Sequence, residues 1–209
     1  MRIYLAAFSL ALLTSARAGI DFTPTSGERN VEGIVFKQIL FHQDGHAISY
    51  EQPRGWTYTG GASGIKLAPP NVSQAQATIE QSPLSAPQIF DDATAKQLQQ
   101  QVLASVPSGA QNVTVVSEEK NPLRINQQET YAVTIAYNFY SEDYQLSVIF
   151  ANLADTQLRF RTVARKADFE KTQREFRASL FSLSWEQRPG RSGSLTQTAA
   201  QSKDFSSPK

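Results

Sequence analysis

The strongest constraint on this chain is a run of strict alternation. Tyr131, Val133, Ile135, Tyr137 and Phe139 occupy every second position, with Ala132, Thr134, Ala136 and Asn138 between them. Successive side chains of an extended strand point to opposite faces, whereas a helix repeats every 3.6 residues, so this spacing selects a strand. Tyr144, Leu146, Val148 and Phe150 repeat the pattern after Ser141-Glu142-Asp143, which predicts an antiparallel pair. Leu158 and Phe160 continue it as a third strand after a turn at Asp155, with Arg159 and Arg161 on the opposite face. The meander is therefore expected to have one buried face and one wetter face. Val113 and Val115 precede it as a further strand.

The first half is read as short strands punctuated by turn residues. Ile34 to Phe41 is apolar and β-branched, and His46 to Tyr50 resumes the pattern after Asp44-Gly45. That dipeptide readily takes the positive φ of a tight hairpin. Trp56 to Thr59 and Ile65 to Leu67 flank Gly60-Gly61, and Ala75 to Glu80 alternates again after Pro69-Pro70-Asn71. Two helices complete the set. Asp91-Asp92 offers a carboxylate to the free amides of a first helical turn, and Ala95, Leu98, Val102 and Val106 follow at spacings of three and four. Pro107 and Gly109 close that helix. A last helix is expected to begin near Asp168 as its cap and to align Phe169, Gln173, Phe176, Leu180 and Leu183 on one side. This helix is expected to lid the meander's apolar layer.

The two ends of the chain read differently. Arg2 supplies a positive n-region, Ile3 to Leu13 is nearly all apolar, and Ala16-Arg17-Ala18 places small residues where a signal peptidase reads them. The apolar run is about 11 residues where a spanning helix needs about 20, so residues 1–18 are read as a cleaved leader and Gly19 as the mature start. Beyond Trp185 the chain is rich in Ser, Thr, Gln and Ala, with Leu195 and Phe205 its only large apolar residues. A segment so poor in apolar surface cannot offset its ordering entropy, so 186–209 is read as a disordered polar tail. The domain is expected to run over 33–185, with 19–32 as an N-terminal extension.

Tyr50-Glu51-Gln52-Pro53-Arg54-Gly55-Trp56, following Ala47-Ile48-Ser49, resembles the P-x-G-W motif of the Mog1/PsbP-like superfamily, which includes DcrB-like exported bacterial proteins. Phe169, Phe176, Leu180 and Ser182 sit where that family has its terminal helix and a short hydrophobic-serine stretch. The resemblance spans roughly Ile34 to Leu183. It implies an α+β fold with an antiparallel sheet flanked by helices, an α/β/α sandwich. Members range from a nucleotide-release partner of a small GTPase to an extrinsic photosystem subunit and envelope proteins, so the resemblance implies no single activity. Bacterial relatives are often lipoproteins, whereas this chain has no cysteine to lipidate.

Chemistry-bearing residues are few. With no cysteine, thiolate zinc sites, iron–sulfur clusters and thiol nucleophiles are excluded. A formal charge of +1 gives no overall pull toward nucleic acid or anionic lipid. His42, Asp44 and His46 would present two imidazoles and a carboxylate to a metal if a three-residue turn paired the histidines. A two-residue Asp44-Gly45 turn would place them on opposite faces of an exposed hairpin. Gly60-Gly61-Ala62-Ser63-Gly64 lacks the order of a nucleophile elbow and of a nucleotide loop. Asp91-Asp92 is explained by capping, and Glu118-Glu119 reads as a solvated strand end.

Arg159, Arg161, Arg165, Lys166, Lys171, Arg174 and Arg177 form the most uneven charge distribution in the chain. Near-helical pairs such as Glu170 and Arg174 make much of it an ordinary charged surface. Arg159 and Arg161 are different, because a sheet face covered by a helix would have to pair them. Trp56 and Tyr137 are the aromatic candidates to line a small-molecule pocket, with core packing as the default for Trp56. Candidate binding residues are therefore Trp56, Tyr137, Arg159 and Arg161, and no cofactor is implied. The expectation is a periplasmic or secreted, noncatalytic binding or assembly module with a protein partner, binding no nucleic acid and having no stable membrane insertion after leader removal. The alternative is a small-ligand or metal-binding periplasmic protein.

Overall fold

Alternating side chains, two-residue turns and one well-formed cap account for most of the local structure. The computed structural model describes residues 19–185. The leader and the polar tail expected from sequence lie outside the described residues.

The first three strands are β1 (Asp21–Val31), β2 (Ile34–Gln43) and β3 (His46–Tyr50). They form a four-stranded sheet in the order β1-β2-β3-β11, where β11 is Ser184–Trp185. Strands β4 (Thr57–Gly61), β5 (Gly64–Ala68), β6 (Gln76–Pro83), β7 (Gln111–Lys120), β8 (Thr130–Phe139), β9 (Glu142–Asn152) and β10 (Thr156–Arg165) form a seven-stranded sheet. Its order is β4-β5-β6-β10-β9-β8-β7, and every pairing in both sheets is antiparallel. Helix α1 is Asp92–Leu103 and α2 is Lys166–Leu180. The fold is thus α+β and sheet-rich, with one helix on each face of the larger sheet.

The β8–β9 register joins the alternating residues into rows: Tyr131 opposite Phe150, Val133 opposite Val148, Ile135 opposite Leu146 and Tyr137 opposite Tyr144. This row face packs against α1 through Ala95, Leu98 and Val102. The face expected to be wetter is buried as well. Ala132, Ile149 and Ala151 join Leu158 and Phe160 in a second core with Phe176 and Leu180 of α2 and Phe41, Ile48 and Tyr50 of the four-stranded sheet. Small residues there leave room for a thick layer to approach, so alternation of large and small had the appearance of alternation between inside and outside. The last helix therefore lids the opposite face from the one holding Val133 and Val148.

Three further points refine the sequence reading. Asp91 caps α1 as expected, its side chain accepting from the Thr94 amide at 2.8 Å. Helix α2 begins at Lys166, not at a cap on Asp168; Arg165 is its N-cap and makes no side-chain capping bond. Asp168 instead lies in the first turn, where its charge complements the helix dipole. Finally, the stretch set apart as an extension contributes β1. Ile20 and Phe22 are buried, and Phe22 meets Phe41 edge-on at 5.1 Å between ring centroids. Each such side chain contributes roughly 1.5–3 kcal/mol on burial, so the folded unit takes in this stretch. Gly64 shows how closely the sheet is drawn together: a Cβ there would lie 2.7 Å from the Ile79 carbonyl oxygen on β6. Among the described residues no helix is long and apolar enough to cross a membrane.

Candidate functional site

Helix α1 has 12 residues and packs on β7 and β8, so it covers one half of its sheet face; among the described residues no helix covers the β10–β6–β5 half. Where its C-terminal end stops, a recess of about 230 Å³ opens. Gln101 and Val102 of α1 form one wall, and Val148, Phe150, Arg159 and Arg161 form the sheet side. Ser105 and Glu80 complete its rim. A wider hollow of about 520 Å³ shares Glu80 and continues across Thr78 and Lys66 toward β4.

Register explains the placement of the charged groups. Arg159 stands opposite Phe150 on β9 and Glu80 on β6, while Arg161 stands between Val148 and Thr78. Alternation along β10 sends Leu158 and Phe160 into the α2 core and turns the two arginines to the α1 side. They thus share a face with the aromatic rows.

The electrostatics of this face are incomplete. Among the described residues neither arginine forms an ion pair. Arg159 Nε is buried without a hydrogen-bond partner, and so is Thr78 Oγ1 on the neighbouring strand. Burial pushes the Arg161 guanidinium below its ordinary range, with Tyr137 and then Glu80 acting in the opposite sense. Arginine stays protonated at any working pH, so the direction marks a cation partly stripped of water. The Tyr137 phenol is pushed up by burial and partly restored by Arg161. The partial negative charge at the end of α1 helps to tolerate cations here. A half-buried guanidinium whose Nε is an unused donor, with an unused hydroxyl on the neighbouring strand, is an arrangement for receiving an acceptor oxygen, and preferentially an ionised one.

The other residues expected from sequence do not join this site. Trp56 is buried in the α2 core, stacked on Phe176 at 6.5 Å, and its Nε1 donates to Glu175 Oε2 at 3.1 Å. Tyr137 lies on the recess face but is buried and stacked on Tyr144 at 5.5 Å. It acts on Arg161 electrostatically and does not line the opening.

At the His42 hairpin, Asp44 and Gly45 have φ of 50° and 76°, and Gln43 pairs with His46. This is the two-residue turn, which puts His42 opposite Ala47 and the two imidazoles on opposite faces. Among the described residues no group of three His, Cys, Asp or Glu side chains is disposed to hold a metal ion.

The acidic pairs are likewise separated. Glu118 pairs with Val133 and Glu119 with Ala132, so the two carboxylates straddle the sheet. Glu118 accepts from the Tyr131 hydroxyl, and Glu119 takes two bonds from Arg177, at 3.3 and 3.1 Å. The basic stretch divides in the same way. Arg165, Arg174 and Arg177 meet Glu142, Glu170 and Glu119 respectively; among the described residues Arg159, Arg161, Lys166 and Lys171 form no ion pair, and of these four only the two arginines line the recess.

Thr78, Glu80 and Gln101 were not singled out in the sequence. The alternation of Ala75 to Glu80 was a signal that Thr78 and Glu80 share a face. Nothing local indicated that β6 would lie beside β10, 80 residues away.

No family model and no curated protein matches the chain. Solved structures do resemble it. LpqN of Mycobacterium tuberculosis, described as involved in cell envelope biogenesis, matches at 13% identity and a TM-score of 0.49, over 80% of this chain and 92% of its own. PA94 of Pseudomonas aeruginosa, described as a protein of unknown function and putative regulator, matches at 12% and 0.42, over 78% and 98%. The cyanobacterial PsbP of Synechocystis sp. PCC 6803 matches at 9% and 0.44, over 87% and 99%. At these identities and scores the likeness is one of general layout and assigns no activity.

Proposed function

We propose that this chain is an exported, noncatalytic binding module of the cell envelope that engages a protein partner through the recess beside α1. The observation that carries this reading is the presence of two unused polar atoms on one open face, Arg159 Nε and Thr78 Oγ1, beside an Arg161 that has no carboxylate in contact among the described residues. The recess supplies guanidinium, hydroxyl and amide groups. Its one carboxylate, Glu80, stands exposed at the rim. That composition suits recognition of a charged group better than proton transfer, which needs a base held against its substrate.

Size points toward a partner's side chains as the occupant. Small-molecule sites usually measure about 300–1,000 Å³ and enclose most of the ligand, whereas this recess holds about 230 Å³ and opens onto a broad sheet face. Export is inferred from Arg2, the apolar Ile3 to Leu13 run and Ala16-Arg17-Ala18.

The reading is tested by cross-linking the full chain in its native envelope, beside an Arg159→Met, Arg161→Met variant. A partner enriched by the wild type and lost from the variant supports it. Equal enrichment, or a solitary monomer in both, refutes it.

A further inference from the structure

Resting on the binding-module reading, we infer that the partner presents an acidic side chain next to a large apolar one in a single extended segment. The acid is received by Arg159 and Arg161, with Thr78 of the adjoining hollow across from Arg161, and the apolar side chain by Val102, Val148 and Phe150. Charge complementarity argues for the acid. Among the described residues, two guanidiniums lie on one strand face without a carboxylate in contact, and two buried polar atoms there lack partners. An ionised oxygen makes charge-assisted bonds with both kinds of group.

Adjacency argues for the apolar neighbour. Phe150 and Val148 are the cross-strand partners of Arg159 and Arg161, so the cationic and apolar parts of the recess are one strand apart, about 4.8 Å. Neighbouring side chains of an extended segment reach across that distance.

Glu80 limits what else fits. It stands where the recess meets the wider hollow, opposite Arg159, and would repel a second acid placed there. A run of acids or a phosphate backbone is therefore disfavoured, and an isolated acid flanked by neutral residues is selected. Gln101, exposed on α1, is the helix-side wall against which such a segment would lie.

The test uses the full chain and a fluorescein-labelled capped peptide, Ser-Gly-Leu-Asp-Ser-Gly, read by anisotropy. Its analogue with asparagine in place of aspartate, and hexanoate, serve as competitors. The expected result is binding with Kd of about 0.1–1 mM and at least about tenfold weaker binding of the asparagine analogue, the range for loss of a charge-assisted bond. Arg159→Met should lose the binding, and so should Gln101→Trp, which fills the recess while both arginines are kept. In a nitrogen-15 spectrum the Arg159 Nε–H signal should move on peptide addition.

Hexanoate competing as well as the peptide would overturn the inference in favour of a small organic acid. Peptide binding that leaves the Arg159 signal unmoved would also overturn it, as would self-association of the chain that Gln101→Trp abolishes. If no peptide binds while envelope capture is still lost in the double arginine variant, the acidic-apolar class falls and the module reading stands. If capture is unaffected too, both fall.

Discussion

Replacing Arg159 by methionine should leave the unliganded protein as stable as before or make it more stable. The guanidinium is half-buried, its Nε has no hydrogen-bond partner, and no carboxylate contacts it among the described residues. A buried donor left unmade costs about 1–3 kcal/mol. Methionine keeps the apolar stem that packs beside Phe150 and removes the donor. Allowing for imperfect repacking of the recess, the expected gain is about 0–2 kcal/mol. For a domain of this size 1 kcal/mol corresponds to about 2–4 °C in Tm, so the variant should melt between the wild-type temperature and about 8 °C above it. The assay is thermal unfolding by circular dichroism, together with urea midpoints at unchanged m. Arg177→Met is the comparison from the same basic stretch. Arg177 makes two bonds to Glu119, so its loss should cost up to about 1 kcal/mol. Destabilisation of Arg159→Met by more than about 1 kcal/mol would mean that the guanidinium already has a partner, and the argument for a binding recess would fail.

Two phenylalanines five positions apart should respond in opposite ways. Phe176 is fully buried against Trp56, so Phe176→Ala should cost about 3–5 kcal/mol. Phe181 is 72% exposed, and Phe181→Ala should stay within about 0.5 kcal/mol; similar urea midpoints for the two variants would contradict the placement of α2. Asp91 should make α1 sensitive to acid. Its bond from the Thr94 amide lowers its pKa, so its contribution is complete above the unfolded value near about 3.9 and is lost as pH falls through the depressed folded value. Asp91→Asn retains a capping acceptor without that titration, and parallel loss of stability in both proteins as the pH falls from about 5 to about 2 would count against the cap. If residues 1–18 are a cleaved leader, the intact mass of the chain made in its native host should correspond to a start at Gly19, and retention of Arg17 would refute the cleavage.

Much of the local structure was readable because its causes are local. The Asp44-Gly45 turn follows from two residues that tolerate positive φ, and the α1 cap from one carboxylate three residues before a free amide. Both strands of the β8–β9 pair, and the opposition of Leu158 to Arg159, follow from alternation alone. The aromatic candidates were less legible. Trp56 and Tyr137 look alike in sequence, yet one is stacked under α2 and the other lies on the α1 face. Aromatic residues serve cores and pockets with the same chemistry, so only their neighbours distinguish them. The extension that became β1 escaped because Phe22 and Ile20 are isolated apolar residues in a polar stretch, and their burial depends on the sheet they join.

The sequence by itself determined where most of the strands and both helices lie, how the Asp44-Gly45 hairpin turns, and that Arg159 and Arg161 share a face. Each of these is set by backbone geometry over a few residues. Tertiary structure alone decided that both faces of β8 and β9 are buried, that α1 ends short of β10, and that β6 brings Thr78 and Glu80 beside the arginines. Strand order and helix placement come from burying whole layers against one another, and residues as far apart in the chain as Glu80 and Arg159 carry no local record of becoming neighbours.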